Sequence, residues 1–179
     1  MDKIMQLSNG QFDLVTEMVL QQKRERKEQF ATILCKSVID DDGFEYLVAD
    51  DFQYWPSNNL EQTEGSVSPE SWDWVTANIL SKNKAADYRI STVVSLHTHP
   101  GWFGTNGNLD ATDTQTFKMW TQVFRSVGID MINGIVSSNG SLKLYRYDQK
   151  TDSFENVICQ VEDEFVQSTL PSIGGRGNR

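Results

Sequence analysis

The stretch His97–Asp113, HTHPGWFGTNGNLDATD, most constrains what this chain can fold into. The run before it, Ile90–Leu96, is apolar and rich in β-branched residues, which predicts a buried strand. The run from Thr114 to Val127 has the spacing of an amphipathic helix. Pro100 and Gly101 stop the strand, and a loop rich in glycine and asparagine follows. The stretch therefore predicts a strand, a loop and a helix, with two histidines at the end of the strand.

The two histidines, His97 and His99, lie two residues apart on the predicted strand. Because side chains alternate between the faces of a strand, both imidazoles point to the same face and can share one metal ion. The chain has 179 residues and these are its two histidines. Acidic residues at the start of the next helix complete a candidate metal site.

The motif His97-Thr98-His99-Pro100, followed by an acidic helix start, resembles the JAMM zinc metallopeptidases of the JAB/MPN type. The signature of that family is an upstream Glu, then His-x-His-Pro, then Ser-x-x-Asp at the start of a helix. The resemblance covers the chain from about residue 10 to about residue 150. It implies a zinc ion held by two histidines and one aspartate, with water in the fourth position, which is the open arrangement of a catalytic site.

Two aspartates compete for the third ligand position. Counting the usual spacing of the family leads to Asp110, with Gly107 where the family has serine. Matching the local pattern instead aligns Asp110 with the serine and Asp113 with the ligand. We favour Asp113, because Asp110 can then act as helix N-cap. Asp110 remains a predicted catalytic-site residue, although a carboxylate serves an oxyanion poorly and the loop backbone would take over that role.

Glu28 is the candidate general base. Phe12–Lys27 has helical spacing, and Glu28–Cys35 has the pattern of a strand, so Glu28 lies at a helix-to-strand junction. By resemblance, the catalytic Glu of the family stands at this place. It would take the proton of the attacking water and return it to the departing amine. Glu25, one helical turn earlier, is the fallback.

The remaining pattern predicts the other elements. Ser8 or Asn9 offers a start signal for the first helix, and a second helix starts near Pro69. The remaining strands are expected at Glu45–Phe52, Met131–Val136 and Leu142–Tyr147, and Phe154–Gln167 is a strand or a helix. This order predicts an α/β fold, a single JAB/MPN-like domain over residues 1–167 with a mixed, mostly antiparallel sheet flanked by helices. Residues 168–179 are expected to form a flexible tail.

Composition and charge restrict the class of protein. The net charge of −9 argues against broad nucleic-acid binding, because phosphate contacts need clustered Lys and Arg. The N-terminus lacks the pattern of a signal peptide, and the apolar runs are too short to cross a membrane. Cys35 and Cys159 form no recognisable zinc or redox motif and are expected to be free thiols. Together these features predict a cytoplasmic protein.

The sequence therefore predicts a zinc-dependent metalloprotease or isopeptidase. By resemblance, its substrate is a conjugate or precursor of a ubiquitin-like protein. A bacterial form would work beside enzymes that resemble ubiquitin-activating and ubiquitin-conjugating enzymes. Two alternatives stay open: an inactive MPN-type scaffold that binds partner proteins, and a RadC-like protein linked to DNA. Trp102 and Phe103 could line a substrate channel, and Gly174-Gly175 faintly resembles the tail of a ubiquitin-like protein.

Overall fold

The computed structural model describes residues 4–55, 69–84, 89–99 and 108–162. Within these ranges the chain forms seven strands and three helices. The strands are β1 (Ile4–Ser8), β2 (Phe30–Ile39), β3 (Glu45–Trp55), β4 (Ile90–His99), β5 (Asp130–Ser137), β6 (Leu142–Asp148) and β7 (Ser153–Glu162). The helices are α1 (Asn9–Glu25), α2 (Pro69–Lys82) and α3 (Ala111–Ser126).

The strands close into a barrel in the order β1-β3-β2-β4-β5-β6-β7, in which β7 pairs with β1. Strand β1 runs parallel to both β3 and β7, and β4 runs parallel to β5. The other neighbouring pairs are antiparallel. Closure pairs the backbone groups at both edges of the sheet, and it gives every strand an inner and an outer face.

The predicted fold class, an α/β JAB/MPN-like domain with a mixed, mostly antiparallel sheet flanked by helices, is wrong, because the seven strands close into a barrel. The element that closes it is β1, which was absent from the predicted elements. This strand pairs Ile4 with Tyr46 of β3 and Met5 with Cys159 of β7. These partners are distant in the sequence and β1 is only five residues long. No local pattern therefore signals the closure.

The inner face of the barrel and helix α1 form the main core. Val15, Met18 and Val19 of α1 pack in one buried cluster with inward-facing residues of all seven strands, among them Met5, Ile33, Leu47, Leu96, Ile132, Leu144 and Val157. Gly134 of β5 lies against the leucines of this cluster. A Cβ there would come within 2.2 Å of Leu96 Cδ2 and 2.8 Å of Leu144 Cδ2, so a larger residue would displace both leucines.

A second buried cluster lies on the outer face, beneath α2 and α3. It joins Val93 of β4 and Met131 of β5 to Val75 of α2 and Phe124 of α3. Phe124 is near the end of α3, whereas Met131 is near the start of β5. Helix α3 therefore runs back along the sheet, and its first turn lies at the ends of β4 and β5. This arrangement brings the acidic start of α3 to the histidines.

The predicted helix starts are confirmed, while some predicted boundaries shift. Ser8 caps α1, since its Oγ accepts the backbone N–H of Gln11 at 3.1 Å. The helix ends at Glu25, two residues earlier than expected, where Arg26 adopts a left-handed conformation with φ 56°. The strand that follows begins at Phe30, so Glu28 precedes it instead of opening it.

The last predicted segment, Phe154–Gln167, is a strand as far as Glu162. The predicted loop residues Pro100, Trp102, Phe103 and Gly107, and the predicted tail with Gly174-Gly175, lie outside the described residues. Among the helices that the structure describes, each is too short or too polar to cross a membrane.

Candidate metal centre

Three potential metal ligands converge where β4 ends and α3 begins. Nε2 of His97 lies 2.9 Å from Nε2 of His99. Oδ1 of Asp113 lies 3.2 Å from Nε2 of His97, and its Oδ2 lies 3.1 Å from Nε2 of His99. The two imidazole nitrogens and the carboxylate thus form a compact triangle.

The triangle fits a small divalent cation. Zinc binds histidine nitrogen at about 2.0–2.1 Å in a tetrahedral shell, which places neighbouring ligand atoms roughly 3.3 Å apart. The three separations in the structure, 2.9 to 3.2 Å, are close to that value. Two neutral nitrogens and one carboxylate are also a donor set that zinc accepts, and three protein ligands leave a fourth position for water or substrate.

The sequence folds locally so that Asp113 is held in place. Asp110 is the N-cap of α3, and its Oδ1 accepts the backbone N–H of Asp113 at 2.8 Å. The backbone N–H of Asp110 in turn donates to Oδ2 of Asp113 at 3.2 Å. This capping box satisfies donors that the first helical turn leaves unpaired. It also orients the carboxylate that faces the two histidines.

Apolar rings enclose the imidazole of His97. Phe30 of β2 stacks on it, with ring centroids 6.1 Å apart and an interplanar angle of 20°. Phe117, one turn after Asp113 on α3, meets it edge-on at 5.8 Å. His97 is 7% exposed and His99 is 5% exposed. Such packing restricts the imidazoles to few orientations and strengthens electrostatic interactions between them and the carboxylate.

The backbone of His99 is held from α1. Gln22, which is buried in that helix, donates from Nε2 to the carbonyl oxygen of His99 at 3.2 Å. This hydrogen bond joins the last residue of β4 to α1. It fixes the C-terminal end of β4.

Asp113 and His99 each shift the pKa of the other toward its charged form. Burial alone would raise the pKa of Asp113, but hydrogen bonds from His97 and His99 outweigh burial and hold that pKa well below its usual range. Burial alone would lower the pKa of His99, but the hydrogen bond to Asp113 reverses this and raises it. Asp113 is therefore ionised over a wide pH range, as a ligand carboxylate must be.

Glu28 lies on the same face as the histidines. Strands β2 and β4 are antiparallel with Phe30 opposite His97, and this register continues through Gln29 and Thr98, so Glu28 falls opposite His99. Burial raises the pKa of Glu28, and the two histidines oppose that rise. A carboxylate with a raised pKa is a better proton acceptor near neutral pH.

The structure therefore brings together the predicted ligands His97, His99 and Asp113, with Asp110 and Glu28 beside them. Glu25 belongs to the last turn of α1, where it is exposed and accepts a hydrogen bond from Gln21. Sequence reasoning missed three neighbours of the centre: Phe30, Phe117 and Gln22. Phe117 follows Asp113 by four residues, which is one helical turn, and this spacing could have indicated it.

Both cysteines are free thiols, which confirms their prediction. Burial raises the pKa of Cys35, and it raises the pKa of Cys159 to about 11. Since the thiolate is the reactive form, neither side chain is suited to nucleophilic chemistry.

Comparison with known proteins gives a match in fold but no match to a protein family. No protein-family model matches this chain, and no curated protein matches it. The chain is similar to the solution structure of protein DSY2949 from Desulfitobacterium hafniense, with a TM-score of 0.51 and 16% sequence identity. The match covers 90% of this chain and 94% of that one. At this level of identity the likeness shows the fold alone.

Proposed function

We propose that this protein is a zinc-dependent peptidase or isopeptidase whose ion is held by His97, His99 and Asp113. The observation that carries the proposal is the convergence of three ligand atoms from two successive elements within 4.8 Å of one another. The resemblance to the JAMM peptidases supports it through the site motif and not through the predicted fold. When bound, zinc in such a site polarises a carbonyl group and acidifies a water molecule.

The residues around the candidate metal centre have separate roles in this proposal. Glu28 accepts a proton from the attacking water at its carboxylate and donates it to the departing amine. Asp110 holds Asp113 by the capping box, and this contact occupies its carboxylate. The negative charge of Asp110 would oppose a developing oxyanion, so oxyanion stabilisation by the backbone of the loop before α3 stays the prediction. Phe30 and Phe117 exclude water from one side of His97.

The proposed substrate class follows the resemblance and is an isopeptide or C-terminal peptide bond of a ubiquitin-like protein. The partners are then the conjugated protein and, in a bacterial cytoplasm, enzymes that activate and conjugate the ubiquitin-like protein. A role on DNA receives less support, because the chain carries a net charge of −9.

The test compares Glu28→Gln with Glu25→Gln, a matched change of a carboxylate a few residues away. The probe is ubiquitin with a fluorogenic amide at its C-terminus. We expect wild type and both variants to bind one zinc per chain by atomic absorption. Glu28→Gln should lower kcat by about 10² or more, because general acid–base catalysis is lost, whereas Glu25→Gln should hydrolyse like wild type.

Three outcomes would contradict parts of the proposal. If the protein binds no metal when zinc is supplied in excess, the assignment of a zinc site to His97, His99 and Asp113 is refuted. Zinc binding without turnover of this probe, or of a lysine isopeptide-linked ubiquitin dimer, would favour the alternative of a scaffold. If Glu25→Gln loses turnover and Glu28→Gln does not, Glu25 is the general base instead of Glu28.

A further inference from the structure

Glu28 lies just before β2, outside the regular hydrogen-bonded pairing between β2 and β4. The paired segment of β2 and β4 starts at Phe30 opposite His97. Glu28 is two residues outside it, so its position depends on whatever fixes the backbone of Lys27–Gln29. A proton acceptor must be held to within a fraction of an ångström to be effective. The contacts of this short segment therefore matter for the proposed chemistry.

The hydroxyl group of Thr98 supplies one of these contacts. The backbone N–H of Gln29 donates to Oγ1 of Thr98 at 2.8 Å, and the backbone N–H of Thr98 donates to the carbonyl oxygen of Gln29 at 3.0 Å. In a regular antiparallel pair, the N–H of Gln29 would bond to the carbonyl of the opposite residue. A side chain here takes the place of that carbonyl where the ladder ends.

Thr98 makes this contact from the face opposite to the histidines. Leu96, two residues earlier, packs in the interior of the barrel, and side chains alternate along a strand. Thr98 is 1% exposed and Gln29 is fully buried. The hydroxyl group of Thr98 is therefore directed away from the metal ligands on either side of it, and its influence passes through the backbone of Gln29.

Gln29 adds contacts that fix the other side of Glu28. Its Nε2 donates to the carbonyl oxygen of Lys27 at 3.0 Å, and its Oε1 accepts the hydroxyl group of Tyr54 from β3. Gln29, the residue after Glu28, is thus anchored to both β3 and β4, and its side chain holds the carbonyl group of Lys27, the residue before Glu28. These contacts fix the backbone on both sides of Glu28, so they set where its carboxylate lies on the face that the histidines share.

We infer that Thr98 is a positioning residue. It holds the backbone of Lys27–Gln29 against β4 and thereby sets the distance between the Glu28 carboxylate and the candidate metal centre. The inference rests on the proposed function for its catalytic consequence. Its structural part, that the hydroxyl group of Thr98 secures the amide of Gln29, stands on the 2.8 Å hydrogen bond between them. The side chain of Thr98 lies on the face opposite to the candidate ligands, so Thr98 is assigned no catalytic role of its own.

The test uses Thr98→Val, which keeps the shape and removes the hydroxyl group, and Thr98→Ser, which restores it. Thr92→Val is the matched control, since Thr92 is also a threonine of β4 that is 1% exposed, near the other end of the strand. The first readout is hydrogen exchange at the Gln29 amide. We expect protection to fall about tenfold or more in Thr98→Val, the worth of a hydrogen bond, and to stay in the other two.

The second readout separates positioning from folding. In Thr98→Val, zinc affinity and KM should stay within about threefold of wild type, while kcat on the ubiquitin amide falls roughly 10- to 100-fold, as expected for a displaced base. Thr98→Ser should recover most of the rate. Unchanged Gln29 protection in Thr98→Val, or an equal loss of kcat in Thr92→Val, would overturn the inference. If wild type shows no turnover, the proposed function fails, and the exchange measurement alone decides whether Thr98 holds the segment.

Discussion

Asp110 and Asp113 cap each other across the first turn of α3, because the backbone N–H of each donates to the carboxylate of the other. Oδ2 of Asp113, which accepts one of these hydrogen bonds, also lies 3.1 Å from Nε2 of His99. The helix cap and the candidate ligand are therefore one structural unit. A change at the cap must be felt at the metal centre.

Asp110→Ala should weaken zinc binding without abolishing it, whereas Asp113→Ala should abolish it. We expect Asp110→Ala to lose roughly 10- to 100-fold in affinity, as for other residues that orient ligands. Loss of the cap should also cost about 1 kcal/mol of unfolding free energy. Asp148→Ala is the control, since Asp148 holds a turn by accepting the N–H of Lys150. Competition with a chromophoric chelator measures the affinities, and equal zinc binding in all variants would refute the ligand assignment.

Zinc should stabilise the folded protein. A ligand that binds only the native state at about 100 times its Kd adds roughly 2.7 kcal/mol to the free energy of unfolding. His97→Ala and His99→Ala should lose this gain, and a chelator should remove it from wild type. Thermal unfolding with and without zinc measures the effect. A histidine variant that kept the full gain would show that zinc binds elsewhere.

Phe117→Ala should affect both stability and the metal centre. The ring of Phe117 packs edge-on against His97, so its loss should cost about 3 kcal/mol and free the imidazole to rotate. Phe124→Ala, on the same helix but in the second cluster, should destabilise similarly and leave zinc affinity intact. Urea unfolding and chelator competition separate the two effects. Equal zinc affinity in both variants would show that the Phe117 ring does not position His97.

Acid should weaken an ion-pair group at the start of β5. Nε of Arg125 and Nε of Arg146 donate to the two oxygens of Asp130 at 2.9 and 2.7 Å. Burial alone would raise the pKa of Asp130, but Arg146 and Arg125 outweigh burial and lower it. A carboxylate with a lowered folded pKa adds stability above its unfolded value of about 3.9, and that stability is lost as pH falls through the folded pKa.

Asp130→Asn should therefore destabilise the protein by about 2 kcal/mol at pH 7, which is the range for hydrogen bonds to charged groups. The difference from wild type should shrink as the pH is lowered below about 4. Asp152→Asn, which breaks an exposed pair with Lys118, should change stability far less. Urea unfolding across this pH range provides the measurement. A difference that grew on acidification would contradict the sign derived from the ion pairs.

The sequence predicted the features that depend on neighbouring residues. Ser8 and Asp110 cap helices through contacts three residues away. The spacing of His97 and His99 placed both imidazoles on one face. Asp113 was favoured over Asp110 by the same local logic, and the structure places its carboxylate at the histidines.

The features that the sequence did not reveal depend on distant pairing. Closure of the barrel requires β1 to meet β3 and β7 at once, and nothing in the run Ile4–Ser8 specifies those partners. Gln22 and Thr98 are ordinary residues in their own elements. Their roles arise because the fold brings α1 and the start of β2 to the end of β4.

The position of β1 has a consequence for synthesis and folding. Strand β1 is translated long before β7, so it can complete its pairing only after nearly all of the described residues have been made. Until β1 and β7 pair, one side of each strand exposes unpaired backbone groups. Contacts between such distant segments slow folding, and exposed strand edges favour aggregation. Removal of Ile4–Ser8 should consequently leave a barrel with an open seam between β3 and β7.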